Sequence, residues 1–210
     1  MSPMDPSPER LALADSFLAL GPEAPTILPG WDAPDLLEHL LVRERSPHLT
    51  VGSRLPGPLG ARAESALERL RDTGWEELVE RLREGPGRLS PIGRLDRFIG
   101  EGELLIHHED LRRAQEDWEP RRLTPATDAQ AWRALALTSR VSLKVPTDIT
   151  FVSPLGGLRR TSRGADGSLR VHGDALELLL WASGRDDVAR VQVHGDEHAL
   201  QALRTGRRGL

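Results

Sequence analysis

The chain has 210 residues, enough for one large domain or two small ones with a hydrophobic core. Its 28 basic and 32 acidic residues nearly balance, so no general attraction to nucleic acid or to an anionic membrane is expected. The absence of cysteine excludes disulfides, thiolate zinc sites, iron–sulfur clusters and a cysteine nucleophile, so thiol chemistry would need an external small-molecule thiol.

The N-terminal residues have no basic region followed by an apolar core, so no signal peptide is predicted there. The longest apolar stretch, residues 176–182, is too short to span a bilayer. We therefore expect a soluble cytoplasmic protein with neither a membrane nor a nucleic-acid partner.

Helix signals dominate the first two thirds of the chain. Ser7 as N-cap and Pro8 predict a first helix over residues 8–20, and Asp32 opens a second that continues to about residue 45. Further helices are predicted over residues 61–84 with a hinge near 73–74, over 92–115 and over 127–143, with a loop at 52–60. Four or five helices joined by loops indicate an antiparallel bundle.

Short strands appear in the pattern after residue 143. We predict strands over residues 148–152, 158–163, 169–172 and 188–193, and helices over 174–181 and 197–204. This pattern indicates two domains: a helical bundle over residues 1–143 and a small α+β domain over 144–210.

The helix predicted over residues 92–115 carries a polar stripe between two apolar sectors, formed by Asp96, Glu103, His107 and Asp110. A helix that is apolar on both sides of such a stripe is expected to be buried, where carboxylates and imidazoles are costly unless they are paired or bind metal. Glu103 and His107 lie four residues apart, so their side chains converge on one face. One helix can give two ligands to one ion at this spacing.

A third ligand must come from another element. The second predicted helix offers His39, the only histidine within a predicted helix of the first ninety residues. Two histidines and one glutamate suit Zn²⁺ and are compatible with Ni²⁺, Fe²⁺ or Mn²⁺. Three protein ligands leave an open coordination position, as catalytic metal sites do.

The same residues have simpler interpretations. A glutamate and a histidine four residues apart are common by chance, and Glu103 could pair with His39 or His107 without any metal. Asp110 could replace Glu103 as a ligand, although support of His107 from outside the ligand set is its expected role.

Three neighbouring residues have less specific interpretations. Arg43, one turn after His39, could face an anionic ligand or lie at a solvated helix end. His108 and Glu109 point to other faces of their helix, and we expect them at the surface.

Two segments resemble a known family. GWDAPDLLEHLLVRERSP (residues 30–47) and GELLIHHEDLRRAQ (residues 102–115) resemble the signature helices of the DinB-like metal-binding superfamily, in particular its mycothiol-dependent maleylpyruvate isomerase branch and an actinobacterial-type group within it. GDALELLLWASGR (residues 173–185) is similar to the small domain often fused to such bundles. The resemblance implies a mainly α fold, a DinB-like antiparallel four-helix bundle followed by a small α+β C-terminal domain. It also implies that His39, Glu103 and His107 bind one divalent metal, with Zn²⁺ expected.

For function, the resemblance implies a metal-dependent enzyme that activates a low-molecular-weight thiol such as mycothiol or bacillithiol. The reaction would be a thiol S-transfer or an isomerisation of a small-molecule substrate, carried out by a monomer or homodimer. Metal-dependent hydrolysis needs the same three ligands, and a non-catalytic module whose metal braces the bundle is a further alternative.

Overall fold

The computed structural model describes residues 6–86, 99–165 and 167–209. Over these residues the chain is rich in helix, with a small four-stranded sheet in its C-terminal part. The helices are α1 (Pro8–Leu20), α2 (Ala33–Arg45), α3 (Pro47–Gly52), α4 (Pro58–Arg71), α5 (Trp75–Glu84), α6 (Ile99–Arg112), α7 (Pro125–Ser142), α8 (Ala175–Ala182) and α9 (Glu197–Thr205). The strands are β1 (Asp148–Ser153), β2 (Gly156–Arg160), β3 (Ser168–His172) and β4 (Gln192–Gly195).

The chain divides into two compact units. Unit 1 takes its described residues from 1–97 and 107–119, and unit 2 takes them from 98–106 and 120–210. The boundary expected near residue 143 does not coincide with this division, because α7 belongs to unit 2 together with the sheet. Helix α7 packs against the buried helix α8, which explains why it groups with the C-terminal elements.

Local capping sets the start of the first two helices, as the sequence predicts. The Ser7 side chain accepts a hydrogen bond from the backbone N–H of Arg10 at the start of α1. Asp32 caps α2 in a reciprocal arrangement with Asp35, in which each carboxylate accepts a bond from the other residue's backbone N–H. These bonds satisfy N–H groups that the helices leave open at their first turns.

The middle of unit 1 differs from the prediction in one element. The helix predicted over residues 61–84 is two helices, α4 and α5, separated at 72–74 near the predicted hinge. The short helix α3 was not predicted, because Pro47, which disfavours the continuation of α2, also starts the next helix. The loop predicted over 52–60 is correspondingly shorter, and His48 of α3 is exposed.

The core of unit 1 forms where α5 packs against α1 and α2. Its fully buried side chains include Leu13, Phe17, Leu36, Leu37, Leu40 and Leu82. Leucines recurring three and four residues apart give α2 the apolar face that this packing requires. The residues before Ile99 in the helix predicted over 92–115, Asp96 among them, lie outside the described residues.

The sheet of unit 2 has the strand order β2-β1-β3-β4. Strand β1 is antiparallel to β2 and parallel to β3, and β3 is antiparallel to β4. Ile149 and Phe151 alternate with less buried residues along β1 and join the core formed with α8. The last strand lies later than the predicted range 188–193, because backbone N–H groups at Val188 and Ala189 bond to Arg185 in a turn. Within the described residues, no helix is both long and apolar enough to cross a membrane.

Candidate metal centre

Three potential ligands meet at one point of the structure: His39 of α2, and Glu103 and His107 of α6. One ligand atom from each residue lies within 4.8 Å of the others. Small side-chain adjustments would therefore allow one ion to contact all three. No other group of three such side chains occurs at this spacing in the part of the chain that the structure describes.

Asp110 orients the imidazole of His107. The Nδ1 atom of His107 lies 2.8 Å from Oδ2 of Asp110, whose side chain is fully buried. Since the carboxylate can only accept, we assign the proton to Nδ1, which leaves the lone pair of Nε2 as the ligand. This contact is the one that a supporting role for Asp110, outside the ligand set, requires.

His39 lies among aromatic rings. Its ring centroid is 5.2 Å from that of His107, with an interplanar angle of 71°. On α2's N-terminal side the indole of Trp31 is 5.3 Å from His39 at 60°. His39 and Glu103 are half-buried and His107 is buried, and the Oε2 atom of Glu103 is itself buried.

Arg43 is a half-buried cation one turn beyond His39 on α2. Residues four apart lie on the same face of a helix, so the spacing places Arg43 beside His39. It is the candidate in α2 for contact with an anionic ligand.

The residues expected at the surface of α6 are buried instead. His108 is 3% exposed: its Nδ1–H donates to the Glu9 carboxylate of α1 over 2.7 Å, and its Nε2 forms a second hydrogen bond with the Ser16 hydroxyl over 2.8 Å. Glu109 is fully buried and accepts from Arg113 at 2.5 Å. The prediction for both was wrong, because their polar groups are satisfied by partners that a helical wheel does not show.

These contacts fix the C-terminal part of α6, residues 107–112, relative to its neighbours in unit 1. The chain from Glu9 through His108 to Ser16 joins α6 to α1 at two places. The backbone carbonyl of Asp110 also accepts a hydrogen bond from the N–H of Ile27, at 2.9 Å. Because buried hydrogen bonds are costly to break, they hold the orientation in which α6 presents His107.

The sequence carries a signal for this buried network that a helical wheel of α6 does not show. The polar run of residues 107–110 lies between the apolar residues 104–106 and Leu111. A polar run with apolar neighbours on both sides indicates burial. The residues of α1 that bond to His108 are about a hundred positions earlier, and no sequence pattern identifies them.

The donor set fits a catalytic type of metal. Two imidazoles and one carboxylate form the ligand set of several catalytic zinc sites, in which a fourth position takes water or substrate. The partial exposure of His39 is consistent with such an open position.

Comparisons of this chain with protein-family models, with curated proteins and with solved structures found no match.

Proposed function

We propose that this chain binds one divalent metal ion, Zn²⁺ by preference, through His39, Glu103 and His107. The proposal depends on one observation, the convergence of these three side chains from two helices. The buried carboxylate of Asp110 supports it, since metal-bound histidines commonly donate their second ring N–H to such a group.

We further propose that the site serves an enzyme that activates a low-molecular-weight thiol such as mycothiol or bacillithiol, in a transferase or isomerase reaction. The resemblance of residues 30–47 and 102–115 to DinB-like proteins supports this reaction type and a DinB-like four-helix arrangement. The lack of cysteine in the chain is consistent with a thiol that comes from outside.

A divalent metal in this ligand set would supply Lewis acidity, which lowers the pKa of a thiol or of water at its open position. Other groups of the protein would orient the ligands and bind the substrate. Asp110 keeps the proton of His107 on Nδ1, Trp31 covers one side of His39, and Arg43 offers a positive charge to an anionic substrate or thiol.

Metal analysis of protein purified without a histidine tag tests the first proposal. We expect about one equivalent of metal in the unaltered chain. His39→Ala should lose it, whereas His48→Ala, which removes an exposed histidine of α3, should retain it. Absence of bound metal in the unaltered chain, or full retention in His39→Ala, would refute the site.

A thermal-shift series tests the proposed reaction class. A thiol that binds stabilises the fold by RT ln(1 + [L]/Kd), so even a weak ligand is detected at high concentration. We expect thiols to stabilise the metal-loaded protein, and to stabilise neither the metal-free protein nor His107→Ala. The corresponding alcohols should have no effect.

Two other outcomes would replace this reaction class. A metal-free protein that stays folded, together with a metal-loaded form that thiols do not stabilise, would favour a hydrolase. Unfolding on chelation without any thiol response would favour a metal that only braces the helices.

A further inference from the structure

Unit 2 contains a pocket of about 330 Å³ that is separate in sequence from the metal ligands. Its lining combines residues at the C-terminal end of α7 with residues of β1, of β2 and of the segment that follows β2. The polar lining comprises Ser139, Arg140, Thr147, Arg159, Arg160, Thr161 and Ser162. Three guanidinium groups and several hydroxyls thus surround one small cavity.

Arg160 is held in place by α7. Its Nε–H donates to the Ser139 hydroxyl at 2.8 Å, and its Nη2 donates to the backbone carbonyl of Ala136. Its Nη1 also donates to the backbone carbonyl of Arg159, at 3.4 Å. All three acceptors are uncharged, so these bonds orient the guanidinium without neutralising it. Burial, and secondarily the nearby charge of Arg140, lower the pKa of Arg160 from its ordinary value.

The three arginines differ in their charge partners. Arg159 forms an ion pair with Asp148 at 2.8 Å. Asp148 also accepts a hydrogen bond from the backbone N–H of Ser162, at 3.0 Å, and both contacts lower the pKa of its carboxyl, the Arg159 bond most. Among the described residues, neither Arg140 nor Arg160 has a carboxylate within ion-pair distance. The pocket therefore holds two adjacent positive charges that lack a counter-charge.

We propose that this pocket binds a small molecule through an oxyanion group, a phosphate or a carboxylate, held between Arg140 and Arg160. Guanidinium groups match the geometry of both oxyanions and can bind them through paired hydrogen bonds. The hydroxyls of Thr161 and Ser162 line the same cavity and can add further bonds to the oxygens.

The remaining lining limits the size and character of the ligand. Leu143, Val145 and Ile149 give the pocket an apolar part next to the arginines. A volume of 330 Å³ is at the lower end of the range for small-molecule sites. The pocket thus suits a metabolite-sized molecule with one anionic group and a short apolar portion.

Isothermal titration of the intact chain with inorganic phosphate and with butyrate, at constant ionic strength set by sodium chloride, tests the proposal. We expect saturable binding of at least one of the two anions and none of glycerol. The anion that binds identifies the oxyanion, and binding of both indicates a pocket that accepts either.

Arg140→Gln is the decisive variant. Arg140 is exposed and its side chain makes no hydrogen bond or ion pair among the described residues, so its loss should leave the fold intact. We expect it to weaken anion binding by about tenfold or more, as loss of a charge-assisted bond does. Arg133→Gln removes the same charge from an exposed position of α7 outside the pocket and should bind within about twofold of the unaltered chain.

Two results would overturn the proposal: no saturable binding of either anion, or equal affinity in Arg140→Gln and Arg133→Gln. Circular dichroism of both variants shows whether each is folded. If Arg140→Gln does not fold, Arg140→Lys replaces it: the proposal then requires weaker binding than in Arg133→Lys, and equal binding refutes it.

Discussion

Replacing Asp110 with asparagine separates the orientation of His107 from the shape of the site. The carboxylate lies 2.8 Å from Nδ1 of His107, and neither side chain exceeds 10% exposure. The amide of Asp110→Asn has the same shape but no charge, so it accepts the Nδ1–H more weakly. If the amide turns its NH₂ toward Nδ1, the imidazole proton must move to Nε2, where it removes the lone pair that would bind metal.

The expected cost follows from comparable supporting contacts at metal sites. Loss of such a group typically weakens metal binding by about 10-fold to 100-fold. That range corresponds to roughly 1.4 to 2.7 kcal/mol in binding free energy. We expect Asp110→Asn to fall within this range and His107→Ala, which removes a proposed ligand, to bind less metal still.

Competition with a chromophoric chelator of known zinc affinity, at one fixed pH, measures the difference. Asp117→Asn serves as control, because it removes an exposed carboxylate from the segment that follows α6. If Asp110→Asn and Asp117→Asn both bind zinc within about twofold of the unaltered chain, while His107→Ala does not bind it, Asp110 has no orienting role.

Three further predictions concern stability. In Glu44→Ala the buried guanidinium of Arg10 loses the carboxylate that it contacts at 2.5 and 2.8 Å. We expect the free energy of unfolding, measured with urea, to fall by about 3–5 kcal/mol. Glu77→Ala, in an exposed ion pair of α5, should lower it by about 0.5 kcal/mol or less. The Asp196 carboxyl accepts hydrogen bonds from the backbone N–H groups of Ala199 and Ser168. Both bonds, and the Ala199 bond most, lower the pKa of this carboxyl in the folded chain. The stability that these bonds contribute is present above the unfolded pKa of about 3.9 and is lost as the pH falls through the folded pKa. The difference in Tm between the unaltered chain and Asp196→Asn should therefore vanish in strong acid. A difference that stays constant with pH would contradict the assignment. Gly102→Ala would place a Cβ 2.6 Å from the facing alanine Cβ of α7, so it should destabilise by about 1–3 kcal/mol although alanine normally favours helix; a rise in Tm would show that the helices separate at little cost.

Elements defined by local signals were predictable from the sequence. The helices that begin after Ser7 and Asp32 have side-chain caps, and both starts agree with the structure to within one residue. The break between α4 and α5 falls near the predicted hinge. Helix α3 was missed because a proline that can end one helix can equally begin another.

Features set by contacts distant in sequence were less predictable. The range of β4 depends on its pairing with β3, in which His172 lies opposite Gln192, and that register is not visible in the alternation of residues 188–193. The burial of His108 depends on Glu9, about a hundred residues earlier in the chain. A single helix shows that a polar group needs a partner, but it does not show where the partner lies.

The candidate metal site was likewise predictable from the sequence only in its local part. The spacing of Glu103 and His107 is local to one helix, so the sequence alone could suggest that pair. His39 belongs to another helix, and resemblance to DinB-like proteins selected it. The structure brings the three groups together, which spacing alone could not predict.

The ring of Trp31 gives the candidate metal site an optical reporter of its own. The chain has no tyrosine, so its five tryptophans dominate its near-ultraviolet emission. Trp31 lies 5.3 Å from the imidazole of His39, close enough for a quenching ion such as Cu²⁺ at that ligand to dim its fluorescence. Occupancy of the site can therefore be followed in the unlabelled protein, in real time and at low concentration, with Trp31→Phe as the variant in which this signal is lost.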